Sequence, residues 1–143
     1  MNNYPFTDFK NGICRPYLPL RIINPHTDKS YKTFGLITTG ADECVIPAFI
    51  AKALGYRLHT LTHKPAITGS GKAVVYGNTT KLEIYHPISG KLLYTIPDTP
   101  ADFLHNLPIV LLGINNLLSR FILTINYPKK FFSIKPAGIF KTS

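Results

Sequence analysis

The stretch Phe34-Gly35-Leu36-Ile37-Thr38-Thr39-Gly40-Ala41-Asp42-Glu43-Cys44-Val45-Ile46-Pro47 decides how this chain is read. An apolar run enters a turn of small residues, and a second apolar run leaves it. Taken alone, that is a strand, a tight turn and a strand. Pro47 then suits the first turn of a helix, where its missing N–H costs nothing. Ile46, Phe49, Ile50, Ala53 and Leu54 recur at helical spacing, and Gly55 suits the C-terminal cap. The pattern predicts one main α-helix over Pro47–Leu54.

Working outward, Tyr17–Ile23 and Tyr31–Thr38 read as two strands joined by Asn24-Pro25-His26-Thr27-Asp28-Lys29, so they form a hairpin. Residues 1–16 read as an irregular arm, ahead of a single domain spanning 17–143. Downstream, Leu82, Ile84 and His86 alternate with Glu83 and Tyr85. His86-Pro87-Ile88-Ser89-Gly90 is a turn, and Lys91–Ile96 is its second strand. Pro97–Asn106 reads as a loop. Ile109-Val110-Leu111-Leu112 is a short buried strand, and Asn115 or Asn116 caps a short helix holding Leu117, Leu118 and Phe121. Leu123, Ile125 and Tyr127 share a strand face, and Phe131–Lys135 closes the sheet. The whole is an all-β chain with one good helix. Twelve prolines and ten glycines, spread throughout, cut it into short pieces.

A length of 143 residues fits one domain, and 45% apolar residues exclude wholesale disorder. The longest nearly apolar run, Leu107–Ile114, is far shorter than the roughly 20 residues a membrane helix needs. Met1-Asn2-Asn3-Tyr4-Pro5-Phe6 lacks a basic start followed by an apolar core, so no signal peptide is expected. Two cysteines, Cys14 and Cys44, are too few for a disulfide scaffold or a zinc cluster, and the expected compartment is the reducing cytoplasm. Sixteen basic residues against seven acidic give a net charge of +9, which admits an acidic partner such as nucleic acid. The basic residues are scattered, however, and the one tight group, Lys129, Lys130 and Lys135, reads as a solvated turn and edge strand.

Other candidates are weak. Gly69-Ser70-Gly71-Lys72 fails as a phosphate loop, because Ala66 and Ala73 stand where that motif needs Gly and Ser or Thr. It reads as a glycine-rich hairpin tip. His59 and His63 have metal-ligand spacing but no third ligand nearby, so no metal or other cofactor is expected. Cys44 sits in an apolar stretch and reads as a buried small hydrophobe rather than a nucleophile.

The Phe34–Pro47 string resembles the active-site loop of the retropepsin-like aspartic proteases, where an apolar strand leads into Asp-Thr/Ser-Gly-Ala. Leu111-Leu112-Gly113 resembles the family's later apolar-apolar-Gly motif, and Asn116–Phe121 the short helix that follows it. Ile67–Ala73 sits where the family carries its flap. The resemblance spans about Tyr17 to Lys135. It implies a closed-barrel retropepsin-like domain with the main helix, a flap hairpin and a short C-terminal helix. It also implies an aspartic endopeptidase, a hydrolase acting as a homodimer on extended peptides, with neither metal nor membrane involved. Two carboxylates, one from each copy of the loop, share a proton and activate water. A two-fold axis would supply the second copy, and Ile134–Phe140 and the N-terminal arm are candidate interface strands.

Carried over residue by residue, the resemblance puts Thr38 at the catalytic aspartate's position. Thr39 would offer its hydroxyl near the axis, and Gly40 would allow the tight turn. Ala41, Asp42, Thr68, Gly69, Ser70 and Gly71 would line the peptide groove. A threonine hydroxyl stays protonated at any useful pH, and no carboxylate lies within Leu36–Ala41. The chain as written is therefore expected to be inactive. The family's Arg after the glycine is Ile114 here, so an Arg-mediated dimer contact does not carry over. Three readings of Thr38 stand open: an engineered inactivation, a natural pseudo-protease that keeps its peptide groove, or an unrelated basic β-barrel that binds nucleic acid.

Overall fold

The computed structural model of the chain describes residues 3–9, 12–69 and 71–138. In chain order the strands are β1 (Tyr4–Pro5), β2 (Thr7–Asp8), β3 (Cys14–Arg15), β4 (Tyr17–Ile23), β5 (Ser30–Ile37) and β6 (Cys44–Pro47). The helix α1 (Ala48–Ala53) follows. Then come β7 (Thr62–Thr68), β8 (Gly71–Tyr85), β9 (Leu92–Leu104), β10 (Val110–Leu112), β11 (Phe121–Asn126) and β12 (Phe131–Pro136). Short 3-10 turns cover Leu58–Thr60 and Leu118–Arg120.

The long sheet runs β4-β5-β10-β6-β9-β8-β7, and a further pairing of β4 with β8 joins its flanks. Leu20, Ile22, Leu82, Ile84, Ile96 and Phe103 are all but inaccessible inside it. Burying such side chains is the main stabilising term, about 1.5–3 kcal/mol each relative to exposure. The hairpin β4–β5 forms as the sequence predicts, with Tyr17 opposite Leu36 and Ile23 opposite Ser30. Its turn also reaches the helix. The Asn24 side-chain amide donates to the Leu54 carbonyl at 2.9 Å, satisfying an acceptor the helix end leaves open. Gly55, at φ 88°, ends α1. Pro47 stands just before the helix rather than within it, so α1 is shorter than the apolar spacing implies.

Two expectations need correction. Pro97–Asn106 is not a loop, because β9 continues to Leu104. Pro97 is absorbed by a bulge, and Pro100 sits in the ladder opposite Thr79. Thr80 faces Thr99 and Leu82 faces Ile96, so Pro97 and Asp98 together oppose Lys81, with Asp98 at φ 53°. Buried Thr80 and Thr99 hold the bulge, their hydroxyls donating to the carbonyls of Thr99 and Ile96. The second correction concerns Phe131–Lys135. It does not close the long sheet but lies in a separate three-stranded sheet, β1-β12-β11. Tyr4, fully buried, anchors β1 there, edge-on to Phe132 and His86. The expected short C-terminal helix is the 3-10 turn Leu118–Arg120.

Candidate functional site

β10 threads between β5 and β6. It runs parallel to β5, with Val110 beside Gly35, Leu111 beside Leu36 and Leu112 beside Ile37, and antiparallel to β6 at Val45. This clasps the Thr38–Glu43 loop. The Thr38 N–H donates to the Leu112 carbonyl at 3.2 Å. The Ile114 and Asn115 N–H groups donate to the carbonyls of Ala41 and Asp42 at 3.0 and 2.7 Å. The Asn115 side-chain amide donates to Glu43 at 3.0 Å. Gly113 lies where no side chain fits. An added Cβ would fall on the Glu43 carbonyl and within 2.8 Å of the Ala41 oxygen. Gly35 has a related role, leaving space that Leu112 and Leu20 fill.

Within the loop, the Gly40 N–H donates to the Thr38 hydroxyl oxygen at 3.1 Å. Thr38 is half-buried, while Thr39, Gly40 and Asp42 are exposed and Ala41 is half-buried. Five of the residues singled out from sequence, Thr38 to Asp42, thus form one continuous ledge at the end of β5. Cys44 lies behind it, 1% exposed, with burial pushing its thiol up to about 11. Such a thiol stays protonated and inert at neutral pH.

Thr68, Gly69 and Gly71 belong to the tip of the β7–β8 hairpin. Thr68 pairs with Gly71 and donates its hydroxyl to the Gly71 carbonyl at 3.0 Å. Gly71 has φ 113°, a conformation that favours glycine. Ser70 lies outside the described residues. The hairpin's outer half is open to water, with Ile67 89% exposed. His59 lies in the 3-10 turn and His63 on β7, and no group of three or more metal-ligating side chains exists among the described residues. No described helix is long and apolar enough to cross a membrane.

Sequence reading missed a groove of about 460 Å³ beside the ledge. Glu43 and Asn116 form one wall, His63 and Lys64 at the base of β7 another, and Asp102 on β9 a third. Burial holds the Asp102 carboxyl above the usual carboxylate range, with Lys64 opposing that shift and Glu43 adding to it. Asp102 was legible as one of only seven acids. The prolines on either side disguised its strand.

No family model matches the sequence, and no curated protein does. Among solved structures, the fold matches the crystal structure of a retropepsin-like aspartic protease from Rickettsia conorii. The match has a TM-score of 0.61 at 21% identity and covers 92% of this chain and 89% of that one. The fold is retropepsin-like. In this retropepsin-like frame the clasp of β10 on the loop is the part of the architecture that sets the position of Thr38.

Proposed function

We propose that the chain is an aspartic-endopeptidase scaffold of the retropepsin type. In this reading two copies meet about a two-fold axis and hold an extended peptide between the Thr38–Asp42 ledge and the β7–β8 hairpin. Thr38 stands where the hydrolytic carboxylate would stand, so the chain binds without cleaving. The observation that carries the reading is the clasp itself. A loop held by Leu112, Ile114 and Asn115, with the Gly40 N–H donating to the Thr38 hydroxyl, supports the reading of a platform that lacks the acid.

The chemistry follows from that one atom set. A carboxylate at residue 38 would accept the same Gly40 N–H and, facing its two-fold copy, would share one proton with it, because two like charges in contact cannot both ionise. One member could then take a proton from water while the other donates to the peptide carbonyl. A threonine hydroxyl does neither. A peptide would pair with the exposed edge of the ledge in strand fashion, its side chains alternating into pockets on either side, and the hairpin would close over it.

The test is a digestion of a mixed peptide library from acid to neutral pH, with the parent beside Thr38→Asp and the fragments read by mass spectrometry. Cleavage by the variant alone is expected. A folded, dimeric Thr38→Asp protein that cleaves nothing would overturn the protease reading.

A further inference from the structure

The groove beside the ledge holds a carboxyl that lacks hydrogen-bond donors. Asp102 is half-buried on β9, and among the described residues its carboxyl takes part in no hydrogen bond and no ion pair. Burial without donors penalises the charged form, which is why this carboxyl titrates above its usual range. A polar group drawn out of water and left without a partner calls for an explanation.

Strand register sets where the carboxyl points. Thr62, Gly77, Asp102 and Val45 form one row across β7, β8, β9 and β6, so they share one face of the sheet. Position 77 in that row has no side chain. A Cβ built there would lie 3.9 Å from the Asp102 Oδ1, an ordinary contact, so the glycine leaves the space beside the carboxyl open. That space belongs to the groove of about 460 Å³. The groove's second acid is Glu43, which directly follows the ledge. Its Oε1 accepts the Asn115 amide at 3.0 Å, which holds the side chain at the groove wall. Against these two carboxylates the lining offers a single ammonium, Lys64, and it is ion-paired to neither.

We infer that this groove selects a basic side chain: a lysine or arginine of the bound peptide enters over Gly77 and sets its cation between Asp102 and Glu43. Two features select that occupant. A cation supplies the donors Asp102 lacks, in charge-assisted bonds, which are the stronger kind. An apolar side chain would shut the carboxyl further from water with no donor at all, and an acidic one would add a third negative charge. The second feature is the placement of charge. A chain of net charge +9 has only seven acids, and two of them line this one groove. Complementarity to a cation is therefore local, against the field of the whole molecule. Glu43 joins the groove to the ledge, so a peptide lying in strand form along Thr38–Asp42 can reach it with one side chain. This inference deepens the peptide-binding reading of the site and rests on it.

The experiment uses a library of short end-capped peptides. One fixed position carries lysine, arginine, norleucine, citrulline or glutamate, the others are mixed, and the fixed position is moved along the peptide. Retention on the full parent chain and cleavage by Thr38→Asp are both read near neutral pH. Each is repeated with Asp102→Asn and Glu43→Gln together, which keep the shapes and remove the charges. At one position, lysine and arginine are expected to be retained at least about tenfold over norleucine and citrulline, and the paired substitutions to bring that ratio within about twofold. Bulk charge cannot produce this result, because a net charge of +9 favours the glutamate peptides. Equal retention of charged and neutral side chains overturns the groove. So does a basic preference that survives the paired substitutions. Cleavage by Thr38→Asp with no basic preference rejects the groove and leaves the protease reading standing. Retention of basic peptides that depends on Asp102 and Glu43, in a chain whose Thr38→Asp form cleaves nothing, rejects the protease reading and leaves the groove.

Discussion

The hydroxyl of Thr38 accepts the Gly40 N–H at 3.1 Å, closing the turn that ends β5. The residue therefore has a conformational role separable from chemistry. Thr38→Val removes the acceptor at a half-buried position and is expected to cost about 1 kcal/mol of stability, measured by chemical denaturation. Thr38→Asp restores an acceptor and supplies the acid that the proposed function calls for. Its peptidase rate is expected to exceed the parent's by on the order of 10⁴-fold, since groups that act as a unit are lost or gained together. An acid-side optimum should accompany it, because the shared proton must be kept.

Gly113 and Gly35 both sit under close contacts, but the neighbours differ. At Gly113 a methyl group meets the Glu43 and Ala41 backbone, which the clasp holds, whereas at Gly35 it meets Leu112 and Leu20 side-chain atoms at 2.7–2.8 Å. Gly35→Ala should cost about 1–3 kcal/mol, the usual range for overpacking, and Gly113→Ala more than about 3 kcal/mol. Equal losses in urea denaturation would mean the loop is not clasped as described.

Asp102 gives a pH dependence with a definite sign. Its carboxyl is held above the ordinary range chiefly by burial. The protonated form's contribution to stability is thus fully present below the unfolded-state pKa and is lost as pH rises through the folded value. Asp102→Asn should raise Tm at neutral pH relative to the parent, and the difference should vanish in acid. A variant less stable than the parent at neutral pH would show that Lys64 binds the carboxylate more strongly than burial opposes it.

The two cysteines should separate cleanly. Cys14 is half-buried, whereas Cys44 is 1% exposed with its thiol near 11. Iodoacetamide at pH 8 is expected to label the native protein once, at Cys14, and the denatured protein twice, as read by peptide mass mapping. Native labelling at Cys44 would mean that β6 opens readily.

Tyr4 is fully buried, and its hydroxyl is the one buried side-chain polar atom without a hydrogen-bond partner among the described residues. Tyr4→Phe should therefore leave stability unchanged or raise it by up to about 1 kcal/mol. Tyr4→Ala should lower it by about 3–5 kcal/mol through the cavity left beside Phe132. A loss on Tyr4→Phe would reveal a partner, such as a buried water.

Much of the architecture was legible in local pattern. The strand character of β4 and β5, the turn residues between them, and the Pro47-to-Gly55 bracket around α1 all act over a few residues, so neighbouring side chains suffice to specify them. The turn around Thr38 was legible for the same reason, because a small-residue loop between two apolar runs needs no distant partner to be recognised. The strand character of Pro97–Leu104 was not legible. Local chemistry there favours a loop, and only the facing β8 and the buried hydroxyls of Thr80 and Thr99 override it.

The sequence by itself determined the chemistry available to this protein. Thr38 brings a hydroxyl and no acid, Gly113 can occupy a place closed to any side chain, and Asp102 is one of only seven acids. Only the tertiary structure decided that these three belong together. It brings Gly113 against Ala41 and Glu43 across some seventy residues of chain, draws Asp102 to a groove shared with Glu43 and Lys64, and sets β12 between β1 and β11. The physical reason is that strand pairing and burial are contacts between distant segments, and such contacts exist only once the chain has closed on itself.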